Sequence, residues 1–142
     1  MDSRINSSYW TLRIAFGLTA FLAGLDKFFN LLTNWEKYAS PLLLDLVPFS
    51  AGVLMRVAGV IEIVAGLALL AGVTRLFGYI VAAWLTLIAL SLVTSGGQFL
   101  DVAVRDLVMA CGAFVLARLT EVRQENPAYA RNQVPSLRTT PA

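Results

Sequence analysis

Four apolar stretches constrain this chain more than anything else: residues 10–30, 51–71, 75–95 and 100–120. Each is about 20 residues long, or about 30 Å as a helix, which is the thickness of a bilayer's hydrocarbon core. In lipid an unpaired backbone amide has no water to bond to, so such stretches must be helical. Together they fill most of a 142-residue chain in which 58% of residues are hydrophobic and 14% charged. Soluble domains carry about 25% charged residues. The expectation is an all-α integral membrane four-helix bundle in one domain, residues 10–120.

The joints fit that reading. Gly72-Val73-Thr74 makes a tight turn, and Gly96-Gly97 breaks the chain before the last stretch. Residues 31–50 form the one long connection. They hold Pro41 and Pro48 among Trp35, Tyr38, Leu42, Leu43, Leu44, Leu46, Val47 and Phe49. Aromatic and aliphatic residues of this kind sit well at a membrane interface. The segment reads either as an amphipathic piece lying on the bilayer or capping the bundle, or as a plain connecting loop. Residues 1–9 carry Asp2 and Arg4 and do not resemble a cleavable signal peptide. Residues 121–142 are polar and carry Pro127, Pro135 and Pro141. Such a tail is expected to be disordered in isolation and ordered by a partner surface. Arg4, Arg75, Arg118, Arg123, Arg131 and Arg138 fall on one side of the four spans, with Lys37 on the other. The positive-inside rule then puts both termini in the cytoplasm.

Several function classes drop out. A net charge of +2 is too small for a nucleic-acid binder, which concentrates Lys and Arg on one face. There is no histidine, which removes the usual ligand of haem and catalytic zinc and the usual proton carrier near pH 7. Cys111 is the one cysteine and cannot form an internal disulfide. No metal site and no covalently bound cofactor is expected. Any redox chemistry would use a diffusible or partner-borne cofactor.

Ionisable residues inside the spans are costly and are the functional candidates. Arg13, Gly17, Ala20, Gly24 and Lys27 form one stripe at helical spacing. Small residues on such a stripe let a second helix approach closely, so its two end charges are expected to face protein. Gly59, Glu62 and Gly66 repeat the pattern on the second span. Glu62 lies midway through its span, and Arg13 is the partner expected for it on depth. Asp26, Lys27, Arg56, Asp101, Arg105 and Asp106 share the outer third of the bundle, with Asp101 and Arg105 an i, i+4 pair. Three readings stand side by side: a self-satisfied network locking the helices, a polar pocket for a small ligand or quinone headgroup, and a proton or ion path through Glu62.

The residues so assembled resemble the DoxX family of small four-helix bacterial membrane proteins. The likeness rests on Leu12-Arg13-Ile14-Ala15, Gly17, Phe21, Gly24 and Lys27, then Glu62, Ala65-Gly66-Leu67 and Gly72. Thr74-Arg75 and Arg105-Asp106-Leu107 complete it. The resemblance implies a multi-pass protein of the bacterial cytoplasmic (inner) membrane. It implies either a subunit associated with quinone-linked redox chemistry or a non-catalytic accessory subunit of a larger membrane complex. Arg13, Lys27, Glu62, Arg105 and Asp106 are the positions it singles out. With no cysteine pair, thiol–disulfide chemistry does not carry over. The expected partners are the lipid bilayer and other membrane subunits or further copies of the chain, with no nucleic acid. The expected cofactor is at most a quinone.

Overall fold

A computed structural model describes residues 3–126. All regular structure among them is helical: α1 (Ser3–Asp26), a 3-10 turn (Trp35–Tyr38), α2 (Pro41–Leu46), α3 (Ala51–Ala71), α4 (Thr74–Val93) and α5 (Leu100–Glu125). Of the expected tail, residues 127–142 lie outside the described residues, as do Met1 and Asp2.

The helices and the apolar stretches do not share their limits. α1 starts seven residues before Trp10 and stops at Asp26 rather than at residue 30. Its end is set by chemistry: the Asp26 carboxylate accepts from the Leu31 and Leu32 amides at 2.9–3.2 Å and from the Trp35 indole at 2.7 Å. That acceptor folds the chain back through Asn30, whose φ of 53° is one that asparagine tolerates. α5 continues past residue 120 to Glu125. The connection 31–50 is no plain loop. Asn34 caps the 3-10 turn, and Ser40 caps α2 with Pro41 in its first turn. Ser50 then caps α3. Gly72 ends α3 at φ 102°, and the Val73 amide returns to the Ala68 carbonyl at 2.9 Å. A left-handed residue there turns the chain straight into α4.

α1 packs chiefly on α3, antiparallel to it, and α4 packs on α5; contacts between the two pairs are lighter. The α1–α3 seam is backbone against backbone. A Cβ added at Gly24 would stand 2.6 Å from the Gly59 carbonyl oxygen, and one at Gly66 would stand 2.5 Å from the Phe21 nitrogen. The interior is correspondingly small-grained: Ala65, Ala89, Ala103, Ala110, Ala113 and Ala117 are buried, with Leu69, Leu92 and Leu116 as the large residues.

The large apolar side chains are mostly outside. Ile14, Leu18, Leu22, Val60, Val64, Leu67, Leu87, Leu90, Val104 and Val108 are all exposed. α3 and α4 are long and apolar enough to cross a membrane, and only 22% of each is buried. The core helix of a soluble protein would be mostly covered. A continuous greasy exterior around a small-residue interior is the arrangement that lipid favours, because lipid solvates leucine as well as a core does.

Candidate functional site

Three buried charges, Asp26, Lys27 and Glu62, lie where α1 ends against the middle of α3. Lys27 Nζ donates to Glu62 Oε2 at 2.6 Å, and their side chains are 6% and 11% exposed. The register of the seam makes this pair. Gly24 sits on Gly59 and Glu62, so Lys27, three residues further on, reaches back along α3. The ammonium also lies 3.7 Å from the centre of the Trp35 ring. Trp35 is fixed in turn by its indole bond to Asp26. From α4, the Trp84 indole donates to the other oxygen, Glu62 Oε1, at 3.4 Å. Asp106, half-buried on α5, lies close enough for the charges of Glu62 and Lys27 to act on it. Three helices and the α1–α3 connection therefore converge on one polar centre with two carboxyls, one ammonium and two indoles.

Arg13 is not part of it. The expectation that Arg13 pairs with Glu62 is corrected: Glu62 is held by Lys27, and Arg13 sits at the other end of α3. There its Nε donates to the Leu69 carbonyl at 3.0 Å, and its Nη2 to the Leu70 carbonyl. The last carbonyls of a helix have no intrahelical partner, and a guanidinium answers both that need and the negative end of the dipole. The antiparallel register brings Arg13 level with those carbonyls. Its guanidinium carbon lies 4.5 Å from the centre of the Trp10 ring.

The outer band of six charges is divided as well. Asp26 and Lys27 are buried and Asp106 is half-buried, but Arg56, Asp101 and Arg105 point outward. The Asp101–Arg105 pair stands at 3.8 Å with both side chains at least 65% exposed. Among the described residues no group of His, Cys, Asp and Glu is placed to hold a metal ion.

Two features escaped sequence reasoning. Trp35 reads as an interface residue and Trp84 carries no signal of its own, and nothing in their spacing shows that both reach the Lys27–Glu62 pair. At the opposite end the Tyr9, Thr74 and Thr120 hydroxyls form a buried chain with separations of 3.1 and 2.9 Å. Arg123 stacks 3.8 Å from the centre of the Tyr9 ring and bonds to Asn6. This cluster explains why α1 and α5 run beyond their apolar stretches: their polar ends are stapled to each other.

The family model described as DoxX matches residues 9–95, more than half of the chain. The match runs from α1 through α4, so Arg105-Asp106-Leu107 on α5 falls outside it. Neither the curated proteins nor the solved structures give a match.

Proposed function

The chain belongs to the DoxX family of membrane proteins, and on that premise we propose that it is a four-crossing subunit of a bacterial inner membrane that handles a quinone headgroup. Both termini face the cytoplasm in this reading. The supporting observation is the buried centre around Lys27 and Glu62. Reducing a quinone takes two electrons and two protons. The electrons come from a partner's cofactor, and the protons pass through carboxyls beside the headgroup. Glu62 and Asp106, set against the single ammonium of Lys27, are such a pair. A lock between α1 and α3 needs Lys27 and Glu62 but has no use for a second carboxyl on α5. The Lys27 ammonium would be the donor to a quinone oxygen, and Trp35 and Trp84, which hold Lys27 and Glu62, would supply aromatic surface to the headgroup.

The test is reconstitution in lipid nanodiscs and titration with a short-tailed quinone, read by tryptophan fluorescence. Saturable quenching is expected in the wild type, and weaker binding in Glu62→Gln and Asp106→Asn. Quenching that rises only as the quinone partitions into lipid, unchanged in both variants, overturns the reading.

A second reading, a non-catalytic subunit of a larger membrane complex, is favoured by Arg56, Asp101 and Arg105. These charges stand exposed beside apolar neighbours such as Val57, Val104 and Val108. A partner helix would cover and pair them. Purification in a gentle detergent followed by mass spectrometry tests it: a chain that runs alone counts against it.

A further inference from the structure

At the α3–α4 turn, far from the Lys27–Glu62 pair, a cavity of about 540 Å³ opens to the surface. We propose that it is a headgroup site for an anionic phospholipid, with the phosphodiester held by Arg75 and Arg118. Arg75 lines the cavity and is 63% exposed, so most of its donors face outward; its Nε lies 3.4 Å from Glu121 Oε1. Arg118 is 61% exposed, and its Nη1 donates to Glu121 Oε2 at 2.6 Å. Glu121 also accepts from the Tyr79 hydroxyl at 3.0 Å. With two hydrogen bonds and a further ion pair on it and only 17% of its side chain exposed, Glu121 works as the post that orients the two guanidiniums. Two cations around one anion leave a surplus of one positive charge, which a single phosphodiester balances. Arg13, packed behind Gly72 on the cavity wall, adds to the positive field. No side chain caps the N-terminus of α4, whose first residues also line the cavity.

The geometry favours a lipid over a soluble anion. The cavity lies at the ends of three helices, where headgroups lie in a bilayer. Its remaining walls, Val73 and Leu76, are exposed apolar residues that continue down α4 to Ile80. Acyl chains leaving the headgroup run along that greasy face. Gln124 at the rim offers an amide to headgroup hydroxyls. This site is independent of the quinone reading.

The experiment is native mass spectrometry of the protein released from nanodiscs that hold phosphatidylglycerol, phosphatidylcholine or an equal mixture. Both lipids bring the phosphodiester, but the choline cation of phosphatidylcholine is set against the arginines, so from the mixture the wild type should retain phosphatidylglycerol about tenfold over phosphatidylcholine, a difference of about 1.4 kcal/mol. Arg75→Gln should bring that ratio close to one. Leu76→Trp, which leaves the ions in place and fills the cavity, should lower retention of both lipids. Arg105→Gln, a change of equal charge at the opposite end of the helices, should keep the wild-type ratio. Inorganic phosphate should not displace the lipid. Equal retention of the two lipids by the wild type overturns the proposal. So does a wild-type ratio in Arg75→Gln with unchanged retention in Leu76→Trp. Displacement by phosphate assigns the site to a soluble anion and overturns it equally.

Discussion

Removing the Lys27 ammonium is the sharpest test of the polar centre. In Lys27→Met the side chain keeps its length and most of its volume, so no cavity opens and the change is electrical. Glu62 is left with the Trp84 indole as its one remaining donor among the described residues, at the longer distance of 3.4 Å. Orphaning one member of a buried ion pair costs about 3–5 kcal/mol. The lost contact over the Trp35 ring adds about 0.5–2 kcal/mol. Glu62→Gln is milder, about 1–3 kcal/mol, because its one carbonyl oxygen still accepts from Lys27, while the amide nitrogen takes the place of the oxygen that faced the indole at 3.4 Å. The double variant removes both charges and keeps an acceptor for Trp84. It should therefore be clearly less damaged than the sum of the singles, with a coupling of about 2–3 kcal/mol. The assay is reversible unfolding in mixed micelles of mild and denaturing detergent, followed by circular dichroism. Additive losses, with a coupling under about 0.5 kcal/mol, would mean that water reaches the pair; the argument from burial then fails.

Other outcomes follow from the same geometry. Gly66→Ala should push α1 off α3 and cost at least about 2 kcal/mol in the same assay, because the new methyl meets backbone rather than a movable side chain. Arg13→Lys should not replace arginine: one ammonium cannot reproduce the fork onto Leu69 and Leu70, so amide exchange around Gly72 should speed up about tenfold. Thr120→Val should cost about 1–2 kcal/mol by breaking the hydroxyl chain to Thr74 and Tyr9. Arg105→Gln should stay within about 0.5 kcal/mol of wild type, since its pair with Asp101 is long and solvated.

What the sequence made legible was whatever depends on the chain's own period. The stripe Gly17–Gly24–Lys27 and the face Gly59–Glu62–Gly66 are helical spacings, and the structure sets them against each other. Partner choice was not legible. Depth counted from the ends of apolar stretches put Arg13 beside Glu62, but α1 begins before its apolar stretch and ends inside it. That shifts the register by several residues and exchanges Arg13 for Lys27. The reason for the early stop is Asp26, whose role depends on a bond to Trp35, nine residues on. The two carboxyls of the candidate centre are 44 positions apart on α3 and α5, and no local pattern relates them. Exposure was equally hidden: Arg105 and Asp106 are neighbours in sequence, yet one is exposed and the other half-buried.

The placement of charge along α1 also resolves a difficulty that its glycines create. A seam of small residues is smooth, and two such helices could slide by a turn, about 5.4 Å, and still find close backbone contact. Lipid gives little preference between the registers, because it solvates the displaced apolar side chains as well as before. The two end charges of the stripe remove that freedom. A slip of one turn in either direction would carry Arg13 away from the helix-terminal carbonyls of Leu69 and Leu70. The same slip would stretch the 2.6 Å contact of Lys27 with Glu62 beyond any hydrogen bond. Each would leave a buried charge unpaired, so the penalties act at both ends together. Trp84 and Asp106 play no part in that lock, since they belong to α4 and α5. The Trp84 bond to Glu62 and the half-buried Asp106 within reach of its charge are what register cannot account for, and they are therefore the part of the centre on which the functional reading rests.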